Sequence, residues 1–183
     1  MKTHFQILQL PQAYHLDRAD LERRYLALSK EMHPDRFARA GAQERLLAVR
    51  STTDLNDAYR VLKDDVKRAE YLLKLEGIDV RDENATTATK AGTDKVTLSP
   101  AFLMEIMELR EALMEAQAEG SDAKVAALTE DVRARRAASL KSVDDGFRKY
   151  DAGDRAVLPE LARTLMGVRY LDRFLEAVEK EEE

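Results

Sequence analysis

A chain of 183 residues has room for one large domain or two small ones, each near the lower size limit for a self-sufficient core. Cysteine is absent, which excludes disulfide staples, thiolate metal ligands and a cysteine nucleophile. No apolar run approaches the ~20 residues of a membrane span, and the opening MKTHFQIL lacks a signal-peptide core. With 36% charged residues, only seven Gly and four Pro, and a wealth of Ala, Leu, Glu, Lys and Arg, the chain favours an all-α fold over a sheet.

Charge is uneven. Residues 1–76 carry 14 Lys and Arg against 12 Asp and Glu, a net of +2, whereas residues 77–183 carry 16 against 23, a net of −7. The acidic half argues against nucleic acid as a ligand, because phosphate contacts need clustered cations. Two halves of opposite sign suggest two surfaces for two partners. These bounds set the expectation of a soluble cytoplasmic protein that neither spans a membrane nor binds nucleic acid.

In chain order, His4 to Pro11 reads as a short apolar turn closed by proline. Leu16-Asp17 offers an acidic helix start, and Asp20 to Met32 carries Leu21, Tyr25, Leu28 and Met32 at spacings of one buried helical stripe. At about 100° per residue, Arg23, Ala27 and Lys30 fall on the opposite side. Pro34 excludes the preceding residue from the α region, so the helix stops near Met32 or His33 and leaves His33-Pro34-Asp35 on a loop tip. Ala42 to Leu62 resumes the helical pattern through Leu47, Leu55, Tyr59 and Leu62. Asp64 to Leu75 forms another helix, with Val66, Tyr71, Leu72 and Leu75 apolar and Gly77 as its stop signal. Residues 1–76 thus make a compact domain of two long helices with short ones at either end.

Residues 77–98 read as a linker, since residues 79–98, DVRDENATTATKAGTDKVTL, hold no sustained apolar period. Residues 99–183 then read as an antiparallel three-helix bundle. Ser99 and Pro100 supply an N-cap and first-turn proline, and Phe102, Ile106, Leu109 and Leu113 form the first core stripe. The second helix runs from about Asp122 to Tyr150, with Val125, Leu128, Val132, Leu140, Val143 and Phe147 inward. The third runs from near Asp154 or Pro159 to Glu179, with Leu161, Leu165, Val168, Leu171, Leu175 and Val178 inward and Met166, Tyr170 and Phe174 on the other side.

Two features exceed what a fold needs. One is the His33-Pro34-Asp35 turn beside the cationic positions Arg23, Arg24, Lys30 and Arg36. The other is the first bundle helix, whose apolar arc is too wide for one packing face. Leu103, Met107 and Met114 lie about a quarter-turn from its core stripe, and Met104 lies further round among Glu108, Glu111 and Glu115. Burial on two sides would account for such an arc, and so would a protein-binding surface rimmed by carboxylates.

With the turn stand Phe5, Leu8, Leu10, Pro11, Leu21, Tyr25, Leu28, Arg36, Phe37 and the run Asn56 to Leu62. In this arrangement the N-terminal part resembles a J-domain, the module by which co-chaperones engage DnaK-type ATPase chaperones. The runs Arg68-Ala69-Glu70-Tyr71-Leu72-Leu73 and Ala101-Phe102-Leu103-Met104-Glu105, continued through Glu108-Leu109-Arg110-Glu111, extend the likeness to one J-protein type, the iron–sulfur cluster assembly co-chaperones of the HscB family. The resemblance covers nearly the whole chain apart from the linker.

It implies that His33, Pro34, Asp35 and the basic positions Arg23, Arg24, Lys30 and Arg36 contact a DnaK-class, HscA-type chaperone and promote its ATP hydrolysis. It further implies that Leu103, Met104, Met107, Glu108, Glu111, Glu115 and Tyr170 bind the IscU-type iron–sulfur scaffold protein, which is thereby delivered to the chaperone. Gln9 departs from the glycine common before Leu-Pro in the family's opening motif. The cysteine-containing metal segment of some eukaryotic relatives is missing, so no metal or cofactor is expected and the chain leans bacterial. A general J-protein handing unfolded clients to a DnaK-type chaperone is the alternative. Enzymatic activity is not expected. His33 and Asp35 share one exposed loop without a converging nucleophile, and no phosphate-binding glycine motif is present.

Overall fold

A computed structural model describes residues 2–37, 41–81, 86–89 and 92–180. The chain divides into two compact units, Met1–Leu72 and Leu73–Glu183.

The first unit is a helical hairpin with short helices around it. Helix α1 (His4–Ile7) begins with a capping box: Gln6 N–H donates to the Thr3 hydroxyl while Thr3 N–H donates to the Gln6 side chain. Gln9 follows at φ 56°, in the left-handed region that most side chains avoid and that a glycine adopts without strain. Helix α2 (Arg18–Glu31) starts two to three residues earlier than its apolar stripe suggests, because the Asp17 carboxylate caps it by accepting from Ala19 N–H at 2.8 Å and Asp20 N–H at 3.2 Å. Helix α3 (Ala42–Leu62) has the expected bounds.

The hairpin is clasped where the two helices face each other. Tyr25 and Tyr59 stack with centroids 4.0 Å apart, and the Tyr25 hydroxyl donates to Asn56 Oδ1 at 3.0 Å. Leu21, Leu28, Leu55, Ala58 and Leu62 are buried between them. Leu47 departs from the expected stripe. It is 63% exposed while its neighbour Ala48 is buried, so α3 turns its small residue inward and its larger ones, Leu46, Leu47 and Val49, toward solvent. Against the hairpin lie Phe5, Leu8 and Tyr14, all buried. Arg68, on helix α4 (Asp65–Leu75), is buried with them; it donates to the Leu62 carbonyl at 2.5 Å, pairs with Asp65 and covers the Tyr14 ring. That threefold use explains an arginine inside the motif Arg68 to Leu73.

Helix α4 ends in a Schellman motif. Gly77, at φ 85°, donates to the Lys74 carbonyl and Ile78 to that of Leu73, a backbone turn that a side chain at Gly77 would strain. The turns at Gly120 and Gly153 close in the same way.

The second unit begins at Leu73, near the end of α4, and takes in the stretch that reads as a flexible linker. Ile78, Val80 and Val96 are buried, and Val80 O accepts from Arg169 at 2.7 Å. Glu76 accepts from the Tyr150 hydroxyl at 2.6 Å. Strands β1 (Thr86–Thr89) and β2 (Gly92–Lys95) pair antiparallel with Thr86 opposite Lys95. Low apolar content along 77–98 hid three separate anchors. Residues 82–85 and 90–91 of that stretch lie outside the described residues.

The bundle then follows as helices α5 (Pro100–Ala118), α6 (Asp122–Asp151) and α7 (Leu158–Glu179). Ser99 caps α5 by accepting from Phe102 N–H, with Pro100 in the first turn. Ile106, Leu109 and Leu113 of α5 meet Val132 of α6 and Leu171, Phe174 and Val178 of α7 in one buried cluster. Phe174 therefore belongs to the core, not to the opposite side of α7 where the Leu/Val periodicity alone puts it, because a helix flanked by two others buries more than one stripe. Further along, Val143, Phe147 and Tyr150 pack where α6 meets Leu161, Leu165 and Val168.

Two predictions arise from this packing. Gly146 lies inside α6, where glycine costs about 1 kcal/mol against alanine, yet a Cβ there would stand 2.6 Å from Cδ2 of the buried Leu161. Gly146→Ala should thus destabilise the chain by about 1–2 kcal/mol, the reverse of the sign from propensity, as read by urea unfolding. In the first unit, His4 stacks on Tyr71 at 4.2 Å, and its Nδ1 is buried without a partner among the described residues. Burial lowers its pKa below 6.5 against the opposing pull of Asp57 and Asp54. The unfolded chain therefore takes up the proton first. The stabilising contribution is complete above pH 6.5 and is lost as pH falls toward the folded pKa. The melting temperature should drop between about pH 7.5 and about pH 5.5, and drop less in His4→Phe, which keeps the stack.

Candidate functional sites

In the first unit, α2 stops at Glu31, and the Met32 carbonyl is held by the Thr52 hydroxyl, 2.9 Å away on α3. The chain leaves that anchor as a 3-10 turn (Pro34–Phe37), in which Arg36 N–H donates to the His33 carbonyl at 3.0 Å. His33 and Arg36 are exposed; the side chains of Pro34 and Asp35 lie outside the described part of the structure. A turn pinned at its start and closed by its own hydrogen bond holds His33 in a narrow range of positions. Phe37 and Leu47 meet Met32 around a cavity of about 320 Å³ beside the turn. Sequence periodicity assigned Leu47 to the core and gave no hint of this.

The basic residues of α2 are not equivalent. Arg23 and Lys30 are exposed, and Arg23 pairs with Asp20. Arg24 is half-buried, pairs with the same Asp20 at 2.8 Å and also donates to the Gln9 carbonyl. The unusual residue at position 9 thus touches one of the candidate contact residues through its backbone. Asp20 offsets part of the charge of both arginines, which leaves Lys30 and Arg36, nearer the turn, as the less encumbered cations.

The second site lies on α5. Phe102 fixes how this helix is rotated: its ring rests where a Cβ on Gly167 would be 3.3 Å away, edge-on to Tyr170 with centroids 6.4 Å apart. Glu105 pairs with Arg135 of α6, which also binds Asp131 at 2.9 Å, and Arg136 pairs with Asp172 to tie α6 to α7. With that side held inward, the opposite side of α5 faces out. Leu103 is 39% exposed, Met104 62%, Met107 61% and Met114 69%. Glu108, Glu111 and Glu115 are exposed beside them. At 100° per residue the four apolar side chains and three carboxylates occupy a continuous arc of about 140°. Burial on two sides is thereby excluded as the reason for the wide apolar arc. Met114 lies within the arc although the resemblance did not mark it, and its place follows from periodicity once the core stripe is known. Tyr170 is half-buried, with Arg173 5.5 Å from its ring, at the Phe102 end of the face. Met166 is half-buried.

Among the described residues, no three His, Asp or Glu side chains gather as a metal site, and no helix is long and apolar enough to cross a membrane.

A helical hairpin with His33 exposed at its turn, followed in the same chain by a three-helix unit, is the architecture of a J-domain protein with a C-terminal domain of its own. Residues 3–71 match the DnaJ domain model, and residues 98–179 match the HSCB C-terminal oligomerisation domain. Similar proteins include the HscB co-chaperone homologues of Burkholderia thailandensis, 37% identical over 91% of this chain and 87% of that protein, and of Cupriavidus taiwanensis, 38% identical over 92% and 88%. Among solved structures, the chaperone HscB from Vibrio cholerae aligns with a TM-score of 0.75 at 31% identity, covering 99% of this chain and 98% of that one. The human co-chaperone protein HscB aligns with a TM-score of 0.78 at 26% identity, covering 100% and 83%. The chain belongs to the HscB family of J-domain co-chaperones, which are not enzymes.

Proposed function

We propose that this co-chaperone uses its two units on two partners in the maturation of iron–sulfur proteins in the cytoplasm. The first unit engages a DnaK-class ATPase chaperone of the HscA type through His33, Pro34, Asp35 and the cations Arg23, Arg24, Lys30 and Arg36, and stimulates its ATPase. The second unit binds an IscU-type iron–sulfur scaffold protein through Leu103, Met104, Met107, Glu108, Glu111, Glu115 and Tyr170 and brings it to the chaperone.

The observation that carries this reading is the outward face of α5. A three-helix unit that buries Ile106, Leu109 and Leu113 could have surfaced this helix with charge, but instead presents one leucine and three methionines to water. Such a patch is costly to expose unless a partner covers it. Fully burying a Leu or Met side chain is worth ~1.5–3 kcal/mol, against ~0–1 kcal/mol for an exposed ion pair. The apolar residues therefore carry affinity, and the glutamates steer the encounter and select among partners. The same magnitudes apply to the first unit, where exposed cations set the approach and the constrained turn supplies the trigger.

Replacing His33 by Gln should reduce stimulation of the chaperone ATPase at least about tenfold while leaving the melting temperature unchanged, since exposed substitutions of this kind shift stability by less than about 0.5 kcal/mol. Stimulation at the unsubstituted level would remove the turn from the mechanism. In calorimetric titrations with the scaffold protein, Leu103→Ala, Met104→Ala and Met107→Ala together should raise Kd about a hundredfold or more. Glu108→Gln, Glu111→Gln and Glu115→Gln together should raise it less than about tenfold at physiological salt. The opposite ranking would contradict the energetic assignment, and tight binding to many unfolded chains would instead indicate a general client carrier.

A further inference from the structure

The chain holds six methionines and no cysteine, so its only sulfur chemistry is that of thioethers. Three of the six, Met104, Met107 and Met114, share the outward face of α5 at 62%, 61% and 69% exposure, whereas Met32 and Met166 are half-buried. Resting on the reading of this face as the scaffold contact, we propose that Met104, Met107 and Met114 form a reversible oxidation site, at which peroxide turns the scaffold-binding face off.

The chemistry is that of an exposed thioether. A sulfur lone pair attacks one oxygen of hydrogen peroxide, the O–O bond breaks, an S–O bond forms and the departing hydroxide leaves as water after a proton shift. Sulfur loses two electrons and the peroxide gains them. A methionine sulfoxide reductase reverses the step with two thiols, which become a disulfide as the oxygen leaves as water.

The surroundings decide what the added oxygen does. A sulfoxide oxygen is a strong acceptor and must keep a donor when a partner covers it. Along the helix, Met104 has Met107 at i+3, Glu108 at i+4 and Glu111 at i+7, and ionised carboxylates only accept. Arg110 lies three residues after Met107 and four before Met114, within reach of both but not of Met104. Oxidation of Met104 is therefore the most damaging of the three. The free protein is the vulnerable form, because a bound scaffold would cover the same sulfurs.

The test uses the full chain. It is treated with hydrogen peroxide, the peroxide is removed with catalase, and peptide mass spectrometry locates each added oxygen. Binding to the purified scaffold protein is titrated before oxidation, after it, and after incubation with sulfoxide reductase and dithiothreitol. Absence of binding by the untreated chain would defeat the scaffold reading itself. Given binding, oxygen should appear on Met104, Met107 and Met114 ahead of Met32 and Met166, Kd should rise about tenfold or more, and the reductase should restore it. The variant Met104→Leu, Met107→Leu, Met114→Leu, which keeps the apolar volume but has no sulfur on this face, should show the same Kd before and after peroxide, whatever its starting affinity. Unchanged affinity after oxidation of all three, or an equal loss in the leucine variant, would overturn the proposal.

Discussion

The rotation of α5 about its own axis governs what the second unit can do. That helix carries apolar side chains over well more than half its circumference, and only one sector of it fits between α6 and α7. Phe102 against Gly167, Glu105 on Arg135, and Ile106, Leu109 and Leu113 in the shared cluster hold the inward sector. A turn of about 100° would bury Leu103, Met107 and Met114 and push a core leucine into water, at ~1.5–3 kcal/mol for each large side chain so exchanged. The glycine at position 167 is what admits the Phe102 ring at this depth. The outward sector is thus a consequence of core packing, and its contents are what remains for recognition.

The first unit follows a different logic. Its site is small and is made of backbone constraint: α2 ends at Glu31, Thr52 holds the Met32 carbonyl, and a single 3-10 turn carries the chain onward. The aromatic stack of Tyr25 on Tyr59 and the buried leucines behind it keep α2 and α3 in register, so that the turn is presented at a defined angle. Charge around it is graded: Asp20 takes up part of Arg23 and Arg24. One unit thereby offers a stiff tip with cations nearby, the other an adaptable thioether surface with a carboxylate border. Stiffness suits a contact that must act on a partner's state, and flexible methionines suit one that must conform to a folded surface.

Much of this could be read from the chain before any coordinates. Ala42 to Leu62, the Ser99-Pro100 start and the glycine stops are local signals, and each lies where periodicity and capping chemistry put it. The errors share a cause. Leu47 looked inward and is exposed, Phe174 looked outward and is buried, and residues 78, 80 and 96 looked like spacer and are anchored. In each, the decision rested with a neighbour distant in sequence: the folded hairpin buries Ala48 rather than Leu47, α5 and α6 enclose Phe174 on a second side, Arg169 meets the segment after Gly77 at Val80, and Tyr150 meets Glu76 just before it.

Helix identity, helix ends, the His33 turn and family membership were settled by the order of residues, since caps, prolines, glycines and apolar spacing act within one or two turns of backbone. Which side of each helix meets water was not, because an apolar side chain is buried only if another element arrives to cover it. The outward methionines of α5, the core position of Phe174 and the half-spent charge of Arg24 were decided by the folded arrangement alone.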